Sequence, residues 1–457
     1  MPARSPMKRL AAVGTAMALG LAGCSSPTAD SPSSASNAPK PAPNTSAPEG
    51  LESFYTQRLD WEKCGSVIEC ATIQVPMDYD NPEGESIELA LNRRAVDGAT
   101  RNILVNPGGP GGSGLDMVSS TVPSMFSNDL QRAYNVIGFD PRGVGESSPI
   151  TCQSAAETDK GRQENLRAWV PEDQHEIIES AEDYAADCAS NTGELLDHVD
   201  TESAARDMDV IRAVLGDAQL DYLGVSYGTF LGATYADLFP QNVGRFVLDG
   251  AMDPSLPAAE VTLAQAVGFE KEIDAWLASC LESGNCPFTG TVEEAKVQLQ
   301  QFFAQVENEP MTASDGRVVP IIDFVNGFIL PLYDDASWSY LTDAMNAAVN
   351  DGNADIILSL ADLSADRQSD GTYASNSSDA YVAIDCLDRP TDSSQEAMQA
   401  EATELMRAAP TLGKYLAYSG IACEALDFES TGKPEVLDAE GSNEILVIGT
   451  VGDPATP

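Results

Sequence analysis

The chain has 457 residues, enough for two or three domains and a sizeable core. Its hydrophobic content is 43%, but 25 basic residues face 71 acidic ones, a formal net charge of −46. So acidic a surface repels phosphate backbones and anionic headgroups, which excludes nucleic acid and anionic lipid as partners and suits an exported, soluble body.

The first residues read as a targeting segment. Arg4, Lys8 and Arg9 form a positive region ahead of "LAAVGTAMALGLAG", which is too short to anchor across a bilayer. Leu21-Ala22-Gly23-Cys24 resembles the lipobox of bacterial lipoproteins. That resemblance makes residues 1–24 a lipoprotein signal and Cys24 the lipidated residue. Residues 25–50 are rich in Ser, Pro and Ala and cannot bury enough apolar surface to fold, so they read as a disordered tether. No later stretch is apolar enough to span a membrane.

Beyond the tether, "ATIQVPMDYDNP" and "SIELALNRRAV" read as a hairpin around Asn-Pro-Glu-Gly. "RNILVNPGGPGGSG" is a strand entering a glycine loop, and "YNVIGFDPRGVGESSP" a strand ending at Asp-Pro-Arg-Gly. Residues 201 to 215 read as a helix with Thr201 as N-cap. "LDYLGVS" is a strand, "YGTFLGATYADLF" a helix, and "VGRFVLDGAMDP" the next strand. Apolar strands alternating with helices predict an α/β fold with a mostly parallel sheet covered on both faces. The rhythm breaks over 255–440, which reads as a mainly helical insert, and returns in "NEILVIGTVGDPATP". The expected organisation is a first core part over 51–254, a helical cap over 255–440 and the start of a last core part over 441–457.

Eight cysteines remain after Cys24: Cys64, Cys70, Cys152, Cys188, Cys280, Cys286, Cys386 and Cys423. An even number in an exported chain suggests disulfides, with 105 possible connectivities. Pairing neighbours in sequence is the simplest arrangement. No cysteine or histidine cluster has metal-ligand spacing, and no metal or other cofactor is implied.

The chemistry centres on Gly224-Val225-Ser226-Tyr227-Gly228. A G-x-S-x-G run between an apolar strand and a helix is a nucleophile elbow, with Ser226 as nucleophile. The amide of Tyr227 is one candidate oxyanion donor; the glycine loop 106–114 supplies the other, Gly109 first and Gly108 next. That loop does not read as a phosphate cradle, because it lacks G-K-[ST] and the G-x-G-x-x-G spacing. Asp453, just past "EILVIGT", is the candidate acid, with Asp249 and Asp253 as rivals. The two histidines, His175 and His198, both precede Ser226, against the Ser–acid–His order of this fold class.

The run from "TESAARDMDVIRAVLG" through "FVLDGAMDP" resembles the secreted tripeptidyl-aminopeptidase family of α/β-hydrolases. "NPGGPGGSG", "IGFDPRGVGESSP", "SDAYVAIDCLDRP" and "GTVGDPATP" carry the same resemblance. It implies an eight-stranded α/β-hydrolase core, a helical cap, and a serine peptidase that removes short peptides from free N-termini. It assigns Ser226 as nucleophile and Asp453 as acid. It also implies a histidine after the acid, where four residues follow. The expectation is therefore a truncated form that lacks its base and the last strand and helix of its core. Losing such a base costs on the order of 10⁶ in rate. A carboxylate near the serine should bind the substrate ammonium; Asp385 and Asp388 are the candidates. An envelope esterase or lipase, and a catalytically dead lipid-anchored binding protein, are the competing readings.

Overall fold

The computed structural model describes residues 46–428 and 430–457. Cys24, the signal segment and most of the tether lie outside the described residues. The strands in chain order are β1 (Glu62–Lys63), β2 (Glu69–Pro76), β3 (Ser86–Arg94), β4 (Arg101–Asn106), β5 (Tyr134–Phe139), β6 (Leu220–Val225), β7 (Val243–Asp249), β8 (Met311–Thr312), β9 (Val318–Val319) and β10 (Ile445–Ile448). Eight of them form one sheet in the order β1-β2-β3-β5-β4-β6-β7-β10; β8 and β9 form a separate ribbon.

The expected hairpin is β2 and β3, paired antiparallel from Glu69↔Arg93 to Pro76↔Ser86. Its turn closes where the Gly84 amide donates to the Asn81 carbonyl. β3 pairs antiparallel with β5, and from there the sheet is parallel through β4, β6, β7 and β10. Parallel strands need crossover helices, which bury both faces. Accordingly Leu104, Val105, Ile137, Phe139, Leu220 and Tyr222 are all sealed from solvent. β10 lies at the edge, where Leu446 and Val447 are more than half exposed.

Helix Thr201–Val214 forms where its apolar spacing indicates, but its N-cap is Asp200, whose side chain accepts from the Ser203 amide. Thr201 is the first helical residue and has another role, described below. Between β7 and β10 the chain is mainly helical. Helices Ala258–Ser283, Val292–Asn308, Ile321–Ile329, Trp338–Asp351 and Asp355–Ser364 share a core of their own, built on Trp276, Phe303, Phe324 and Phe328. Helix Ser377–Asp388 instead gives Ala380, Ala383, Ile384 and Leu387 to the core of the sheet. Four disulfides join sequence neighbours: Cys64–Cys70, Cys152–Cys188, Cys280–Cys286 and Cys386–Cys423.

Candidate active site

Ser226 sits between β6 and helix Tyr227–Leu238 with φ 55 and ψ −125. A non-glycine residue in this left-handed region is strained, and it persists only where its surroundings hold it. Three contacts do so. The Ser226 amide donates to the Asp249 carbonyl at 2.9 Å, and its carbonyl accepts from the Thr229 amide and hydroxyl at 2.8 and 2.6 Å. The flanking glycines are required by close approach. A Cβ at 224 would lie 2.1 Å from the Gly228 carbonyl oxygen, and one at 228 would lie 2.8 Å from the Asn106 carbonyl oxygen. Tyr222 on β6 donates its hydroxyl to that Gly228 carbonyl at 2.8 Å, fastening the first turn of the helix to the strand.

The glycine loop after β4 lies directly on the elbow. A Cβ at 108 would meet the Val225 oxygen at 2.5 Å and the Tyr227 amide nitrogen at 2.9 Å, with φ at +94. The Gly108 amide donates to Asn106 Oδ1 at 2.9 Å, so it is committed within the loop. Gly109 is the loop glycine that faces the same cavity as Ser226. The far end of the loop is tied down by Asp140, whose Oδ1 accepts from the Ser113 hydroxyl at 2.6 Å and the Leu115 amide at 3.3 Å. Its Oδ2 accepts from the Glu146 amide at 2.9 Å. Burial pushes the Asp140 carboxyl up, against the pull of those donors.

Below Asp140, Arg142 is fully buried. It holds Asp207 through two bonds of 2.8 and 2.7 Å, and it donates to the carbonyls of Pro76, Met77 and His198. The Asp-Pro-Arg-Gly turn is thus a bolt beneath the loop. Sequence reading marked the turn and missed both roles; an acid and an arginine inside an apolar strand end are the signal that could have found them.

Asp453 lies in the turn after β10. Its Oδ1 accepts from the amides of Ala455 and Thr456, and its Oδ2 from the Thr456 hydroxyl at 2.6 Å. The point a Cβ of residue 250 would occupy is 3.6 Å from Asp453 Oδ2 and 3.7 Å from the Ser226 nitrogen. The ends of β7 and β10 are knitted there by the amides of Gly250 and Ala251, which both donate to the Ile448 carbonyl. The rival acids are used otherwise. Asp249 holds Ser226 through its backbone, and the Asp253 carboxylate accepts from the Ser255 amide and hydroxyl.

A cavity of about 750 Å³ opens over the serine and is lined by Ser226, Gly109 and Ala455. Its far wall is largely apolar and aromatic, with Phe269, Ile329, Tyr333 and Tyr381. Burial, then the charge of Asp453, pushes the Tyr333 hydroxyl up. Burial and the charges of Asp335 and Asp453 do the same to Glu272. Asp385 lines this cavity and pairs with Arg389 at 2.7 Å, one helical turn on.

Asp388 does not line it. Its carboxylate accepts from the Thr201 amide at 2.7 Å and the Thr201 hydroxyl at 2.6 Å, and Thr201 in turn bonds the Tyr227 hydroxyl. Neither histidine lines the cavity. His175 is exposed beside Glu179, and His198 lies on the 3₁₀ turn ahead of helix Thr201–Val214.

A strained serine on a strand-to-helix turn, beneath a glycine loop and beside a carboxylate, is the geometry of a serine hydrolase. The sequence profile of the α/β hydrolase fold matches residues 101–317. The serine protease Hip1 of Mycobacterium tuberculosis is 34% identical over 427 residues, covering 88% of this chain and 81% of Hip1. The chain belongs to the α/β-hydrolase peptidase family. A tripeptidyl aminopeptidase of Streptomyces lividans is 31% identical over 415 residues, 87% of this chain and 76% of its own length. A Mycobacterium tuberculosis protein named carboxylesterase B is 34% identical over 416 residues, 87% of this chain and 79% of its own. This member of the family is accordingly a serine hydrolase with the mostly parallel sheet that its strand pattern predicts.

Proposed function

We propose that this hydrolase is an exported, lipid-anchored exopeptidase that takes short peptides from free N-termini. Ser226 attacks the carbonyl, and the amides of Tyr227 and Gly109 receive the oxyanion. Asp453 orients the imidazole that deprotonates the serine, and water then releases the acyl group. The observation that carries this is the strained Ser226, which shares one cavity with Gly109 and with the turn that holds Asp453. Export is supported by the Cys24 motif and by four disulfides, which persist in oxidising compartments. Among the described residues no helix is long and apolar enough to cross a membrane. The anchor we propose is a lipid at Cys24.

Neither of the chain's two histidines lines the serine cavity, so in these 457 residues Ser226 has no imidazole to serve it. These 457 residues on their own hold the nucleophile and the acid of the site without a base, and are expected to turn over slowly. Their hydrolysis of a tripeptide p-nitroanilide should be negligible in plain buffer, rise with added imidazole, and vanish in Ser226→Ala. No imidazole-dependent turnover above that of Ser226→Ala would overturn the assignment. The apolar wall of the cavity favours a second reading, an esterase. In that case imidazole would restore cleavage of a p-nitrophenyl ester and leave the anilide intact.

A further inference from the structure

The serine cavity does not end at Tyr381. A second chamber of about 860 Å³ adjoins it, and Asn326, Ser364 and Tyr381 line both. The walls differ. The chamber is rich in hydroxyl and amide groups, among them Thr151, Thr158, Thr372 and Ser378. Helix Ser377–Asp388 runs past both spaces, with Ser378 and Asp379 on the chamber and Val382, Asp385 and Cys386 on the serine side.

The charges lining the two spaces pair off, with one exception. On the serine side Asp385 holds Arg389. In the chamber Arg162 grips Asp323 through two bonds of 2.9 and 3.0 Å. Asp379 has only neutral partners: the Tyr184 hydroxyl at 2.9 Å and the Cys152 amide at 3.2 Å. Among the described residues no cation pairs with it. Two neutral donors leave a carboxylate with spare lone pairs, and a half-buried anion without a cation is poorly solvated. Burial accordingly pushes the Asp379 carboxyl up. The half-exposed ring of Tyr381 stands at the join, a face on which a cation can rest.

We infer that Asp379 anchors the free ammonium of a peptide substrate, the chain of which runs from the polar chamber past Tyr381 to Ser226. This rests on the peptidase reading above. It moves the ammonium contact from Asp385, whose charge Arg389 already takes, and from Asp388, which is buried on Thr201 and lines neither space, to Asp379, the carboxylate lining them that, among the described residues, pairs with no cation.

The anchor is rigid with respect to the chemistry. A Cβ on Gly111 of the glycine loop would lie 2.6 Å from the Ser377 oxygen and 3.3 Å from the Ala380 side chain, so loop and helix are in direct contact. Asn376, just before the helix, donates to the Gly143 and Ile150 carbonyls at 2.8 Å and accepts from the Gly145 amide at 2.9 Å. The separation between Asp379 and the oxyanion amides is thereby fixed by the fold, and it sets how many residues fit between a free N-terminus and the scissile bond. A neutral acyl ester gains nothing from this carboxylate.

The test is binding to the 457-residue protein by calorimetry, with tri-alanine amide and its N-acetylated form as probes. The free amine should bind about tenfold tighter or more, as expected for a charge-assisted contact in a partly desolvated site. Asp379→Asn should erase the preference and leave binding of the acetylated peptide unchanged. Ser378→Lys, which supplies a competing ammonium at an exposed position, should erase it too and does not disturb the Tyr184 and Cys152 contacts. Asp385→Asn should preserve it. A preference that survives both Asp379→Asn and Ser378→Lys, or that follows Asp385, overturns the inference and leaves the aminopeptidase reading standing. Equal binding of the two peptides, or none by either, overturns both.

Discussion

Asp388 offers a quantitative check on how the elbow is held. Its carboxylate is sealed beneath helix Thr201–Val214 and bonded to Thr201, which bonds the side chain of Tyr227. Burial is the dominant influence, helped by the charge of Asp200 and opposed by the Thr201 donors and Arg389; together they push the carboxyl up to about 7. In the unfolded chain an aspartate titrates near about 4. The folded state therefore binds this proton more tightly. The stabilisation is complete below about pH 4 and is lost as pH rises through about 7. A displacement of that size corresponds to about 4 kcal/mol. Asp388→Asn keeps the size and an acceptor for the Thr201 amide but cannot titrate. Urea unfolding at a series of pH values should show wild type losing about 4 kcal/mol relative to the variant between pH 4 and 8. Other carboxyls that burial pushes up, such as Asp140 and Asp207, are present in both proteins and cancel. Curves for the two proteins that run parallel across this range would refute the reasoning.

Three further outcomes test the scaffold. Gly108→Ala adds a Cβ 2.5 Å from the Val225 oxygen at φ +94, and should lower stability by about 2–5 kcal/mol in thermal unfolding; a change under about 0.5 kcal/mol would contradict it. Arg142→Met leaves Asp207 charged and buried with its main partner gone, and should cost about 3–5 kcal/mol in denaturant unfolding. A second change, Asp207→Leu, should recover part of that loss. Replacing Cys386 and Cys423 together by Ser opens a loop of 37 residues and should lower stability by about 3–4 kcal/mol. Because both cysteines line the serine cavity, the same variant should also weaken peptide binding, readable in the same calorimeter.

The features legible in the sequence are those with local causes. An apolar strand, a serine and small neighbours dictate the turn at 226, because only glycine fits where the Gly228 and Asn106 carbonyls approach so closely. The β2–β3 hairpin follows from its turn residues, and the parallel sheet from strands without a polar face. Charge pairing was not legible. Asp379, Asp385 and Asp388 lie within ten residues on one helix, yet one has neutral partners, one pairs with an arginine and one bonds a buried threonine. The partners of the first and third come from distant chain segments, which no spacing rule connects. For the same reason Thr201 reads as a cap in sequence, while in the fold Asp200 caps the helix and Thr201 joins Asp388 to Tyr227. The grouping of Ser377–Asp388 with the sheet core was hidden too, since its helical pattern matches that of its neighbours.

The central claim is that residue 226 is a nucleophile that an imidazole activates. The most direct measurement is mass-spectrometric mapping of a fluorophosphonate adduct on the 457-residue protein, with and without added imidazole. The account predicts one modified site, Ser226, formed faster with imidazole and more slowly in Asp453→Asn. An unmodified Ser226 in the presence of imidazole, or an adduct on another residue, would contradict it.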